Sequence, residues 1–493
     1  MSHGALLRKL TGQSVVYGLG QAGARAVQMV LVPIFTHEFA PAEYGVIDVL
    51  ALVTWIATFF VVMGSDAALA RLFYEPEDGA GRRTLVSTLA AWRVGIALTV
   101  AGLMYVLAPF LSRTILSSPD YVKYVRIAAM SLPFTVFVFF QNDVLRVTFQ
   151  PVKFIVLNIV ETALVAGLSI LFVVGMHREV AGVFYGRLAG DALAAVVGLV
   201  LIRHSLVPRF DRKMLAGALR FGLPLVPAGI AFWAISYADR WFLLRFTDLS
   251  AVGVYAVATK LGTLMMFGIS AFQLAWGPFA YAHEHDPNAR GLFARVLTLY
   301  AAVASGIALL LSLFAPELLA LLVPKSYEGA ALPGALLVFG VVAFGGYTVA
   351  GLGSNLARQT GNQSIAALGA SVVTIALAWA LVVPLELVGV AVATLAGFAA
   401  STVLLYVLSQ RAYPISYRGM RALSLFVLAL ALWAGGMWAA QHTPRAASIG
   451  LRVGVFVAYV AIASFLARRM VVAHDGPVAV AVPDPSPTPA ETI

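Results

Sequence analysis

The chain has 493 residues, 61% hydrophobic and only 11% charged, with a net charge of +10 and a mean hydropathy of +0.90. Such a composition excludes an ordinary soluble domain and places most of the chain in lipid. The absence of Cys excludes disulfides and thiolate metal sites, and no basic stripe with interleaved aromatics supports nucleic-acid binding.

A helix needs about 20 mostly apolar residues to cross the hydrocarbon core. On that criterion the first six spans are Gln13–Phe35, Tyr44–Ala70, Leu85–Leu111, Val125–Leu145, Phe154–Val174 and Val180–Ile202. Six more follow at Phe221–Phe246, Val252–Tyr281, Phe293–Leu313, Ala330–Ala357, Ile365–Val383 and Leu387–Leu408, then a final pair at Ala422–Ala440 and Ile449–Leu466. The predicted fold is therefore an all-α polytopic membrane protein of about fourteen transmembrane helices, two six-helix lobes plus a C-terminal helix pair. Residues 1–203 form the first lobe, 204–220 a cytoplasmic linker, 221–410 the second lobe, 411–470 the extra pair and 471–493 a Pro-rich, disordered cytoplasmic tail. The first apolar segment is too long for a signal-peptide core and lacks a small-residue cleavage site, so it reads as a retained span.

Basic residues near span ends resist translocation, so their distribution sets the orientation. With a cytoplasmic amino terminus, the inner segments gather most of the 33 Lys and Arg, with the linker stretch Arg203 to Arg220 the richest. The outer loops hold few, among them Arg113, Lys123, Lys325 and Arg452. Both termini are expected in the cytoplasm, and the net charge needs no nucleic-acid partner to explain it.

The segment Glu179 to Gly190 recurs, with half its positions identical, as Glu386 to Gly397, and Tyr44-Gly45 lines up with Val252-Gly253. An even number of helices separates equivalent points, so the two lobes share one orientation and are related by an axis along the membrane normal. A cavity between two such bundles is the expected substrate path.

Charges within spans cost about 2.5–3.5 kcal/mol each at a helix centre unless they pair or face water. The bases are Arg25, Arg93, Arg126, Arg187, Arg240 and Lys260; the acids are Asp48, Asp66, Asp143, Glu161, Asp191 and Asp239. Arg126 lies near enough to an outer end to snorkel, and Asp143 sits with Arg146 at an inner end. Arg187 with Asp191, and Asp66 with Arg71, read as structural pairs. Arg25, Lys260, Arg93 and Arg240 remain as candidate cavity bases for an anionic substrate such as a diphosphate, with Asp48, Glu161 and Asp239 as cavity or coupling acids. The alternative is that Arg25 and Lys260 are simply neutralised by Asp48, Glu161 or helix carbonyls. Span amides such as Gln141, Asn142, Asn158, Gln273 and Asn355 are expected to join helices, the alternative being that some bind sugar hydroxyls in the cavity.

No enzyme constellation emerges. Gly18, Gly20 and Gly23 follow no strand and precede no Gly-Lys-Ser/Thr, and His283, Glu284 and His285 lack the spacing of a helical zinc site. No cofactor or metal is expected, and no ATP-binding motif is present, so a transporter would draw on a proton or sodium gradient or on the membrane potential.

Three stretches resemble a known family: Leu219-Arg220-Phe221-Gly222-Leu223-Pro224, Tyr237-Ala238-Asp239-Arg240-Trp241-Phe242-Leu243 and Val252-Gly253-Val254-Tyr255-Ala256-Val257-Ala258-Thr259-Lys260. With Glu43-Tyr44-Gly45, Met63 to Arg71 and Leu387 to Thr394, they look like the polysaccharide-biosynthesis, O-antigen (Wzx-type) flippases of the multidrug/oligosaccharidyl-lipid/polysaccharide exporter superfamily. The resemblance covers roughly Leu6 to Leu408. It implies two lobes forming a V, alternating access, and an undecaprenyl-diphosphate-linked oligosaccharide carried from the inner to the outer leaflet of the cytoplasmic membrane. Polymerase and glycosyltransferases of the same pathway are implied partners. In the related lipid II flippases, arginines of the first, second and eighth helices engage the diphosphate; Arg25 and Lys260 stand in two of those helices here, whereas the second carries Asp48. A lipid II flippase and a cation-coupled multidrug exporter of the same superfamily are the alternatives.

Overall fold

The computed structural model describes residues 29–76, 78–226, 238–284, 288–359, 361–415 and 419–472, with Gly23, Val27, Asp286 and Tyr417 as isolated positions. Among the described residues every regular element is a helix. The first lobe contains α1 (Met29–Glu38), α2 (Pro41–Val62), α3 (Ser65–Leu72), α4 (Gly79–Val106), α5 (Ala108–Ile115), α6 (Val122–Val147), α7 (Pro151–Ile170) and α8 (Glu179–Ile202). Then come α9 (Arg212–Gly222), α10 (238–246), α11 (Leu249–Ala282), α12 (Ala289–Leu313), α13 (Ala315–Leu322), α14 (Ala331–Ala350), α15 (Leu352–Leu356), α16 (Gly361–Ala412), α17 (Gly419–Gln441) and α18 (Arg445–Val472).

Eleven of the described helices are long and apolar enough to cross a membrane. One of them, α16, carries Pro384 and turns at Glu386, whose φ of 46° and ψ of −122° are not helical, so its 52 residues make two crossing segments. These are the predicted spans Ile365–Val383 and Leu387–Leu408. The predicted span Gln13–Phe35 lies largely outside the described residues, and Phe221–Phe246 is described at its two ends, 221–226 and 238–246.

Local chemistry explains where the helices begin. Pro41 opens α2 without losing a hydrogen bond, and the Glu43 carboxylate reaches back to the Ala40 N–H at 2.9 Å. The Asp78, Asp211 and Asp248 side chains cap α4, α9 and α11 by accepting backbone N–H groups of the first turn. At its far end α2 stops at Met63 and Gly64, both with positive φ.

Span amides join helices as expected: Gln141 donates to the Ala195 carbonyl at 2.8 Å, Asn158 to Asn142 at 2.9 Å and Gln273 to Thr348 at 2.8 Å. The final pair attaches to the second lobe through α12. Trp433 of α17 donates to the Ser312 carbonyl at 3.2 Å, and Tyr459 of α18 to the Ala302 carbonyl at 2.9 Å. Arg452, expected in an outer loop, is instead two turns inside α18 and buried against Glu317 and the Leu313 carbonyl. The helix begins earlier than hydropathy indicates, and the half-exposed Glu317 with the Leu313 carbonyl compensates the charge inside it.

Candidate functional site

The lobes meet where α2 and α11 begin. A Cβ on Gly45 would stand 2.0 Å from the Leu249 carbonyl oxygen, and one on Gly253 would stand 1.8 Å from that of Pro41. Only glycine permits this approach. The two glycines are equivalents under the internal repeat, so the contact is reciprocal, each lobe offering the same position to the other. Tyr327 reinforces it by donating to the Phe39 carbonyl at 2.9 Å and packing edge-on against Tyr44.

The first half of α2 belongs to a core shared by both lobes, in which Val46, Val49 and Leu50 are buried together with Tyr255, Val257 and Leu261. Its second half leaves that core. Ala57 and Val61 pack with Ala97, Leu132 and Val136 of α4 and α6, a cluster that no described residue of the second lobe joins. On α11, positions Gly268 and Gly277 face open space. Among the described residues, the lobes are thus in contact at the predicted outer end, where α2 and α11 begin. At the far end of α2 a second close approach occurs, where a Cβ on Gly64 would stand 2.4 Å from the Gly222 carbonyl oxygen at the end of α9.

Below the Gly45–Gly253 contact lies a charged apex. Asp48 is one turn beyond Gly45, and its carboxylate accepts from Arg240 Nε at 3.4 Å, an ion pair between lobes. Arg240 also donates to Asp239 at 2.6 Å, and its guanidinium lies over the ring of fully buried Tyr255 at 5.4 Å. Lys260, two turns beyond Gly253, is drawn by Asp48 and repelled by Arg240. It forms no ion pair within 4 Å among the described residues. Two acids face two bases, so the described apex is balanced in charge. Arg25, the third base expected here, lies outside the described residues.

Other candidates stand elsewhere. Arg93 is fully buried inside the first lobe, donating to Ser65 at 2.7 Å and to Asp143 at 2.8 Å and stacking over Phe140. It joins α3, α4 and α6 rather than facing the opening between the lobes, because a guanidinium in hydrocarbon must find a carboxylate. Asp143 takes Arg146 at 2.9 Å as well. Glu161 does not approach the apex either; its charged neighbours are Asp191 and Arg187 on α8. The expected Arg187–Asp191 pair is present at 3.6 Å, with the Thr135 hydroxyl also donating to Asp191. Asp66 and Arg71 do not pair. Arg71 takes Glu75, one turn on, at 3.5 Å, a better helical spacing than five residues. Arg126 snorkels as expected, lying over the Tyr105 ring at 5.1 Å.

Two features escaped sequence reasoning: the Arg93–Asp143–Ser65 lock and the partner of Arg240. The second was within reach. Once Gly45 and Gly253 are taken as touching equivalents, Asp48 falls one turn below the contact and must face the other lobe.

Residues 39–332, more than half of the chain, match a family described as polysaccharide biosynthesis protein. No curated protein matches the sequence. Among solved structures the chain is similar to the lipid II flippase MurJ in an inward closed conformation, with a TM-score of 0.73 and 12% identity over 93% of this chain and 100% of that one. It is also similar to a multidrug resistance MATE family transporter of the MOP superfamily facing inward, with a TM-score of 0.64 and 14% identity over 81% of this chain and 94% of that one. An outward-facing structure of such a transporter gives 0.60 and 15%, over 83% and 98%. These likenesses concern the fold: a multi-pass bundle of two helical lobes. By the match of residues 39–332, the chain belongs to the polysaccharide biosynthesis protein family.

Proposed function

We propose that the chain is a lipid-linked oligosaccharide flippase. It moves an undecaprenyl-diphosphate-linked sugar unit from the inner to the outer leaflet of the cytoplasmic membrane by alternating access, for O-antigen, capsule or exopolysaccharide assembly, with both termini in the cytoplasm. The observation that carries this reading is the charged apex between the lobes, where Asp48 and Arg240 meet at 3.4 Å beside Lys260. A sugar diphosphate cannot cross about 30 Å of hydrocarbon without a polar path open toward the bilayer, and two lobes that part from one end supply it.

The apex also supplies a trigger. A diphosphate binds Arg240 and Lys260 through charge-assisted hydrogen bonds and so competes with Asp48 for Arg240. Pairing with substrate loosens the tie between lobes at the closed end, which gives substrate a differential affinity for the opened state. Asp239 holds the Arg240 guanidinium in place. Arg25 is proposed as a further base of the same site, while Arg93 is left out because Asp143 claims it. With the inside negative, the membrane potential favours outward movement of anions by about 2.3 kcal/mol per charge per 100 mV. A proton or sodium gradient acting through Glu161 is the other available drive.

A cation-coupled multidrug exporter would need an uncompensated carboxylate at the apex. Asp48 is compensated, which favours the base-centred reading. The test is glycan export from a strain whose own gene is replaced by Lys260→Ala or Lys260→Arg. The alanine variant is expected to accumulate carrier-linked sugar on the inner leaflet at normal protein levels, and the arginine variant to export. Normal surface glycan from Lys260→Ala would sink the diphosphate role.

A further inference from the structure

Away from the apex, α12, α14, the second segment of α16 and α17 enclose a cavity of about 360 Å³ at their predicted inner ends. Small-molecule sites occupy about 300–1,000 Å³, so it is large enough to hold part of a ligand. Its walls are mostly apolar, and two of their hydroxyls are turned to backbone: Tyr300 donates to the Val342 carbonyl and Thr402 to the Ala343 carbonyl, both at 2.6 Å. A cavity lined this way stays free of water. Its mouth lies between α16 and α17, where Val407 and Met420 are exposed. Exposed apolar surface on membrane spans meets lipid chains, so the occupant arrives from the bilayer.

The rim is cationic. Arg411 follows Val407 by one turn on the same face, and Arg421 adjoins Met420. Arg290 precedes Leu297 by two turns, with its guanidinium over the Tyr413 ring at 5.0 Å, tying α12 to the connection between α16 and α17. All three arginines are exposed, and the acids closest in sequence to Arg290, Glu284 and Asp286, belong to the connection before α12. A dry slot that ends in cations at the headgroup level matches an alkyl chain with an anionic head.

We propose that this cavity binds an anionic phospholipid of the inner leaflet, with an acyl chain between the four helices and its phosphate among Arg290, Arg411 and Arg421. The bound chain fastens α17 to the second lobe, and the site is independent of the transport reading.

The test uses the full chain in nanodiscs of equal phosphatidylglycerol and phosphatidylcholine, with polyprenyl phosphate added in a third arm. Lipid retained after detergent extraction is counted by native mass spectrometry. Phosphatidylglycerol is expected to be retained over phosphatidylcholine. The double variant Arg411→Gln and Arg421→Gln lowers that preference about fivefold for each arginine removed, and Ala399→Phe, which fills the cavity, abolishes retention. Because both arginines are exposed, the double variant keeps its fold even where Ala399→Phe does not. Equal retention of the two phospholipids, an unchanged preference in the double variant, or displacement of phosphatidylglycerol by polyprenyl phosphate would each overturn the proposal.

Discussion

Arg93 and Lys260 are both bases in the middle of spans, yet the packing around them assigns opposite consequences to their loss. Arg93 has no exposed surface and carries one of two arginine contacts to Asp143, while its Nε holds Ser65 at the start of α3. Removing one member of a buried ion pair costs about 3–5 kcal/mol, and here Arg146 still faces Asp143, so the loss falls toward the lower end of that range. Arg93→Ala is therefore expected to lower the thermal midpoint in detergent by many degrees, and Arg93→Met with Asp143→Leu to recover much of it; equal midpoints for Arg93→Ala and the native chain would refute the lock. Lys260→Ala, by contrast, leaves the midpoint near native and affects export. The difference was not legible in the sequence. All the span charges could be found by inspection, but Arg93 and Asp143 are 50 residues apart and Arg240 and Asp48 are 192 apart, distances at which only the packed fold decides partners. Pairs within one helix turn, such as Arg187 with Asp191, were legible because helical spacing alone brings them together.

Among the elements, α2 stands out because a glycine contact lies at each end of it, with Gly45 against the second lobe and Gly64 against the end of α9. A helix of 22 residues separates these contacts by about 30 Å, the depth of the hydrocarbon core. Any motion that opens one side of the path between the lobes must break one of these contacts. Gly253→Ala forces a Cβ to within 1.8 Å of the Pro41 carbonyl oxygen. Overpacking of this kind costs about 1–3 kcal/mol, enough to shift a two-state balance about tenfold or more toward opening at that end. A single cysteine in place of buried Tyr44 should then react correspondingly faster with a membrane-impermeant thiol reagent added outside; an unchanged rate would show that this contact is not a gate. The long spans were readable from hydropathy, and the break in α16 from the Pro384 that separates two apolar runs. The short helices α3, α5, α13 and α15 were not, because eight residues or fewer carry too little periodicity to stand apart from their loops.

At the scale of the whole molecule, the duplication and the chemistry follow different rules. The scaffold is doubled, and its doubling places Gly45 on Gly253 at the seam; the charges are not doubled, and the apex combines one acid from the first lobe with Asp239, Arg240 and Lys260 of the second. Under the proposed function, a symmetric frame with an asymmetric site lets the lobes move as bodies while substrate engages mainly one of them. If transport needs the lobes to separate at the seam, fastening them there must stop it. The chain has no Cys, so two introduced thiols are the only ones present. Glu43 and Tyr327 act on each other across the seam. Joining Glu43→Cys to Tyr327→Cys with a short, reducible bifunctional thiol reagent is expected to abolish flipping of a fluorescent polyprenyl-diphosphate glycan in proteoliposomes, and reduction to restore it. Each single-cysteine variant treated with the same reagent should retain flipping, which separates the effect of the tether from that of the substitutions. Undiminished flipping by the fully cross-linked chain would mean that the substrate passes without the lobes parting at this end, and alternating access through the seam would have to be abandoned.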